Sequence, residues 1–202
     1  MNKLFISLII ILFSINSLQA RPISYKGGYT LMQDNFNRVH FHYSPNIKNS
    51  IGLFMEKYSD FAIGGFQWNH LLYRKNTKNS QTNLYMKYAL GTNKGDFYNS
   101  INIAGDSETR KYFGSFDSKL EFLQGKKYLA TNSVKFGFAP YIAEYNNLHT
   151  WLMLKIKNKK NYINDTNLTE IIPMVRLFKG DYLFELGVSL EGELNFGYII
   201  RF

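Results

Sequence analysis

The last ten residues of the chain, ELNFGYIIRF, alternate with a period of two. Leu194, Phe196, Tyr198, Ile200 and Phe202 fall on one face of an extended strand, and Asn195, Gly197, Ile199 and Arg201 on the other. A strand with one apolar, aromatic face and one mostly polar or small face needs a nonpolar environment on one side only. The same alternation runs through most of the chain. Hydrophobic residues make up 45% of the sequence, yet beyond the first twenty residues none gather into the ~20-residue apolar run that a membrane helix needs. That excludes a helical membrane protein and leaves a secreted β-protein or a β-barrel set in a membrane. The terminal aromatic favours the barrel, as the closing strand of an outer-membrane protein.

The first twenty residues read differently. Lys3 precedes an apolar run from Leu4 to Leu18, and Ala20 supplies a small exit residue. This is the pattern of a secretory signal peptide, expected to be cleaved after Ala20. The chain has no cysteine and only 4 prolines. An exported domain without disulfides needs another way to hold itself together, and a closed barrel, which has no free edge, supplies one. Few prolines suit long strands. The formal charge of +9 is spread along the chain, so it points to a charged lumen or to anionic lipopolysaccharide rather than to nucleic acid.

Turn-forming residues recur every ten to seventeen positions or so, the spacing of membrane strands. Twelve strands are expected, over residues 27–33, 38–44, 49–58, 61–73, 81–90, 97–105, 110–123, 127–141, 148–157, 168–178, 182–190 and 194–202. Ten is the alternative. The division is a signal peptide at 1–20 and one domain at 21–202, an all-β, single transmembrane antiparallel barrel. An even count places both termini on the periplasmic side, and puts the polar stretch 158–167 outside the cell as the longest loop. Tyrosines near strand ends, among them Tyr43, Tyr58, Tyr73, Tyr98 and Tyr112, suggest interfacial girdles.

In each strand the more apolar set should face lipid and the other set the lumen. The expected lumenal charges are then Arg38, Glu56, Lys87, Asp117, Lys119, Glu121, Lys135, Lys155, Glu170, Arg176, Glu185 and Arg201. Both signs occur, so these residues read as a salt-bridge network or as a charged constriction. For Arg201, opposition by Glu56 or Glu185 requires matching depth.

Two other chemistries are open. His40 and His42 share a face, roughly 7 Å apart along the strand, with Met32 on the preceding strand and His149 further along. Imidazole and thioether ligands suit a soft ion such as copper. His42 with Ser44, or His149 with Thr150, could form a hydrolase pair, as in a lipid-modifying enzyme. However, His149 and Thr150 point to opposite faces, Ser44 sits before Pro45, and no GxSxG elbow is present.

The segments GGYTLMQ at 27–33, HFHYSPNIKNSIG at 40–52, NLYMKYALG at 83–91, GFAPYI at 137–142, LHTWLML at 148–154 and PMVRLFKG at 173–180, with the terminal Phe, resemble a family of small Gram-negative outer-membrane β-barrel proteins. The resemblance runs in order over nearly the whole exported chain. It implies an outer-membrane barrel and implies no activity. The expectation is therefore a non-enzymatic, porin-like outer-membrane protein, a narrow pore or a structural barrel. Its partners would be outer-membrane lipids, lipopolysaccharide and the barrel-assembly machinery, the last met through Phe202. The copper-type barrel and the lipid-modifying enzyme are the alternatives.

Overall fold

The computed structural model describes residues 22–59, 61–143 and 147–202, so the expected signal peptide lies outside the described residues. Twelve strands are found among them: β1 (Tyr29–Asp34), β2 (Arg38–Asn46), β3 (Asn49–Lys57), β4 (Ala62–Asn76), β5 (Ser80–Asn93), β6 (Asp96–Thr109), β7 (Tyr112–Leu123), β8 (Lys126–Phe138), β9 (His149–Asn161), β10 (Thr166–Lys179), β11 (Tyr182–Val188) and β12 (Leu194–Arg201). Each pairs antiparallel with its chain neighbours, and β1 pairs with β12, so the sheet is a closed barrel. The count is twelve and not ten. Closure leaves no sheet edge, so every strand is held by ladder bonds on both sides and the chain has no need of disulfides. No helix of the described residues is long and apolar enough to cross a membrane.

The period-two pattern explains the burial. On β2, Arg38, His40, His42 and Ser44 are buried inside while Val39, Phe41 and Tyr43 are exposed outside. Leu152, Leu154 and Ile156 on β9 and Phe184 and Leu186 on β11 extend the apolar exterior. A continuous apolar outer surface around a polar interior is stable only where lipid covers the outside.

The turns are short because their residues accept left-handed backbone. Lys94 and Gly95 (φ 46° and 101°) and Gln124 and Gly125 (φ 51° and 75°) each close a two-residue hairpin, the primed geometry that matches strand twist.

The stretch 158–167 is not the expected long loop. β9 runs to Asn161 and β10 begins at Thr166, and only residues 162–165 turn. The stretch is polar because both strand faces are: Lys157 and Lys159 face the lumen, and Asn158 donates outside to Asn167 (2.8 Å) and Thr169 (2.9 Å). Between β8 and β9, the described residues 139–143 and 147–148 lie outside strands, at the end of the barrel where β1 begins and β12 ends. Two of the girdle tyrosines also face the other way. Tyr98 is fully buried in the lumen and Tyr58 reaches the same carboxylate that Tyr98 does.

The seam is formed by the shortest strand. Thr30 lies opposite Arg201 and Asp34 opposite Gly197. Beyond them the Tyr29 N–H donates to the Phe202 carbonyl and the Phe202 N–H to that of Tyr29, both at 3.1 Å. Deleting Phe202 removes both bonds, worth about 1 kcal/mol each, and the exposed aromatic end. Insertion into vesicles, followed by the appearance of the faster-migrating unboiled form on gels, should slow. An unchanged rate would remove the assembly role assigned to Phe202.

Candidate functional site

The lumen holds a cavity of about 880 Å³, bordered by residues from both ends of the barrel: Asn35 and Asn37 at one, Thr77, Lys78 and Arg110 at the other. Alternation aims side chains into it, and the antiparallel register sets which of them meet.

One group of charges crosses the lumen. Glu56 on β3 accepts from Arg38 on the adjacent β2 and from Lys119 on β7, four strands away (2.9 and 3.2 Å). Lys119 also lies 2.8 Å from Glu121. Glu121 in turn accepts from Tyr58 and Tyr98, both at 2.6 Å. Arg38 donates further to Gln67 (2.7 Å) and to His40 Nε2 (2.7 Å), and its guanidinium lies 4.8 Å over the Phe54 ring. The bonds continue without a break. Gln67 donates to Asn69 (2.6 Å), and Asn69 donates to Ser50 Oγ (2.8 Å) and lies 2.8 Å from His42 Nδ1.

A second crossing ties β8 to β10 and β11. Glu185 accepts from Lys135 (2.6 Å) and from Arg176 (2.8 and 2.5 Å). The Arg176 guanidinium stacks 4.1 Å over Phe113. Between the two, Lys87 donates to Asp117 (3.0 Å), which also accepts from Asn102 (2.7 Å). Lys157 meets Glu170 at 3.0 Å. Lys155 donates to the Asn195 side-chain Oδ1 at 3.5 Å.

Four lysines share one wall, that of β8 and β9. Lys135 and Lys155 stand directly opposite each other on β8 and β9, and Lys157 and Lys159 continue the inward face of β9. Like charges placed opposite are unfavourable in a sheet, and one carboxylate, Glu185, is shared by Lys135 and Arg176. Arg201 is buried inside at the seam. It stands opposite Thr30 of β1.

Of the His/Met set, Met32, His40 and His42 lie on neighbouring strands and His149 lies on a distant one. Met32 lies opposite His40 across β1 and β2, and the His40 and His42 rings meet edge to face at 5.4 Å. His149 sits on β9, five strands away by the shorter path round the barrel, against Phe178. A ring nitrogen of each of His40 and His42 already faces a donor, Arg38 or Asn69. No group of three His, Cys, Asp or Glu among the described residues has metal-holding geometry. Of the hydroxyls in the hydrolase pairs, Ser44 Oγ accepts the Ser24 N–H (3.0 Å), and Thr150 Oγ1 lies 2.9 Å from the Tyr141 hydroxyl.

No protein-family model matches the chain, and no curated protein matches it. Solved structures do. The KdgM porin in complex with disordered oligogalacturonate aligns over 86% of this chain and 95% of that one, at 9% identity and a TM-score of 0.50. The fold is that of the KdgM barrel. The KdgM porin without that ligand gives 9% identity over the same shares with a TM-score of 0.49, and LpxR from Salmonella typhimurium gives 9% identity over 87% and 98% with a TM-score of 0.39. At such identities the likeness concerns the backbone alone.

Several lumenal residues escaped the sequence reading. Gln67 and Asn69 alternate with Phe66 and Trp68 and could have been assigned inward on that ground. Lys159 was hidden by reading its stretch as a loop. Tyr58 and Tyr98 carry no sequence signal for their side, since a tyrosine suits a lipid interface and a wet lumen equally.

Proposed function

We propose that the protein is a narrow, anion-preferring pore of a Gram-negative outer membrane, passing small hydrophilic solutes without chemistry. The observation that carries this is the lysine wall, Lys135, Lys155, Lys157 and Lys159, along a cavity bordered by both ends of the barrel. Glu185 and Glu170 offset Lys135 and Lys157, while Lys155 and Lys159 add positive charge that water or a passing anion can face. Averaged over the ~30 Å hydrocarbon thickness, the cavity corresponds to a cross-section of about 30 Å², which suits ions and slender solutes. The two cross-lumen ion groups hold the remaining section rigid. Short acidic sugars belong to the class of solute that such a wall suits, and oligogalacturonate, the ligand of the KdgM complex, is a direct probe.

Purified protein that migrates faster unboiled than boiled should give step-like conductance in planar bilayers, reduced by added oligogalacturonate. Folded protein that stays silent at every voltage would remove the pore and leave a structural barrel.

A further inference from the structure

Residues 22–25, ahead of β1, do not hang outside the barrel. Ile23 is 2% exposed and Ser24 4%, in a segment with no strand partner of its own. Ile23 packs against Leu71 of β4 and Tyr85 of β5, both inward-facing. The Ser24 N–H donates to Ser44 Oγ at 3.0 Å, and Ser50 Oγ donates to the Pro22 carbonyl at 2.7 Å. A tight turn then carries the chain back to the wall. Gly28 N–H donates to the Tyr25 carbonyl (3.1 Å), and Gly27 takes φ 85°, which favours glycine. Gly27 N–H itself donates to the Ser44 carbonyl (2.8 Å). The segment is therefore anchored at both ends and filled in the middle by an apolar side chain.

It is also wired to the ion groups. Ser50, which binds the Pro22 carbonyl, accepts from Asn69, and the bonds run on through Gln67 and Arg38 to Glu56 and Lys119. One unbroken set of polar contacts joins the segment at the terminus end of the lumen to the crossing charges deeper inside.

We infer that residues 22–25 are an inserted plug that narrows the terminus-side mouth and sets the size of solute the pore admits. The inference rests on the pore reading, which says that something passes. The short segment suits its buried place: Pro22 limits its freedom, Ile23 fills an apolar site, and the main-chain groups that enter the lumen find Ser44 and Ser50 as partners.

The test uses the whole chain, with residues 22–25 deleted in one variant and Ile23→Asp in another. The second keeps the chain length and places a charge against Leu71 and Tyr85. Gel mobility confirms that each has folded. In bilayers, both variants should show a larger unit conductance than the unaltered protein and should admit larger neutral polyethylene glycols. A second readout does not need conduction. The chain has no cysteine, so Tyr85→Cys, at a position 1% exposed, reports access alone. Its modification by a water-soluble thiol reagent should rise about tenfold or more when the segment is deleted. Equal polymer exclusion together with an equal thiol rate in conducting proteins would overturn the plug and leave the pore standing. Faster thiol reaction with no conduction by any variant would overturn the pore reading, and with it the plug's role in setting solute size.

Discussion

Glu56→Gln is expected to destabilise the barrel by about 3 kcal/mol, the usual cost of removing one partner from a buried ion pair. Glu56 is the only side chain that contacts both Arg38 and Lys119 in the crossing group described, and all three are largely shielded. Glutamine keeps the size and can still accept one hydrogen bond, so the loss isolates charge from packing. Two cations then remain close together with Glu121 alone between them, and Glu121 already serves Tyr58 and Tyr98. Reversible urea unfolding in lipid vesicles measures the loss. Adding Lys119→Met to Glu56→Gln should restore part of it, because one uncompensated cation is removed. The contrast is Asp117→Asn. The Lys87–Asp117 pair is 23% and 37% exposed at its side chains, and a wet pair is worth about 0–1 kcal/mol. Equal losses for Glu56→Gln and Asp117→Asn would mean that the crossing group is solvated and holds nothing rigid.

The second large effect concerns charge sign. Lys155 and Lys159 lie on the basic wall of β9, and neither takes part in the ion pairs described above. Lys155→Glu with Lys159→Glu therefore changes the wall without breaking those pairs. The unaltered pore should prefer anions several-fold, and the double variant should prefer cations, because a confined lumen of low-dielectric walls focuses the field of fixed charges. Lys155→Gln with Lys159→Gln, which removes charge without inverting it, should fall between. An unchanged preference in both doubles would place the selecting charges elsewhere.

Much of this was legible in the sequence. Period-two alternation in HFHYS and ELNFGYIIRF gave twelve strands, their order and the inward side of Arg38, His40, Glu185 and Arg201. Glycine-bearing turns such as Lys94–Gly95 marked where the chain reverses. The partners of those charges were not legible. Antiparallel pairing fixes who lies beside whom, but Glu56 meets Lys119 across four strands, and such a contact depends on barrel diameter, tilt and side-chain reach, which no local pattern encodes. For the same reason His149 could be grouped with His40 on paper, although most of half the barrel separates them. The polar stretch after Ile156 failed differently. A strand that emerges from the lipid band is polar on both faces and looks like a loop. Residues 22–25 gave no warning, because a Pro-Ile-Ser-Tyr segment before the first strand carries no periodicity at all.

The most direct test of the anion-preferring lumen is the reversal potential of the unaltered protein in a planar bilayer with a potassium chloride gradient. The account predicts a zero-current voltage of the sign set by chloride, moving towards zero when Lys155 and Lys159 are neutralised. A potential of the sign set by potassium in the unaltered protein would contradict it.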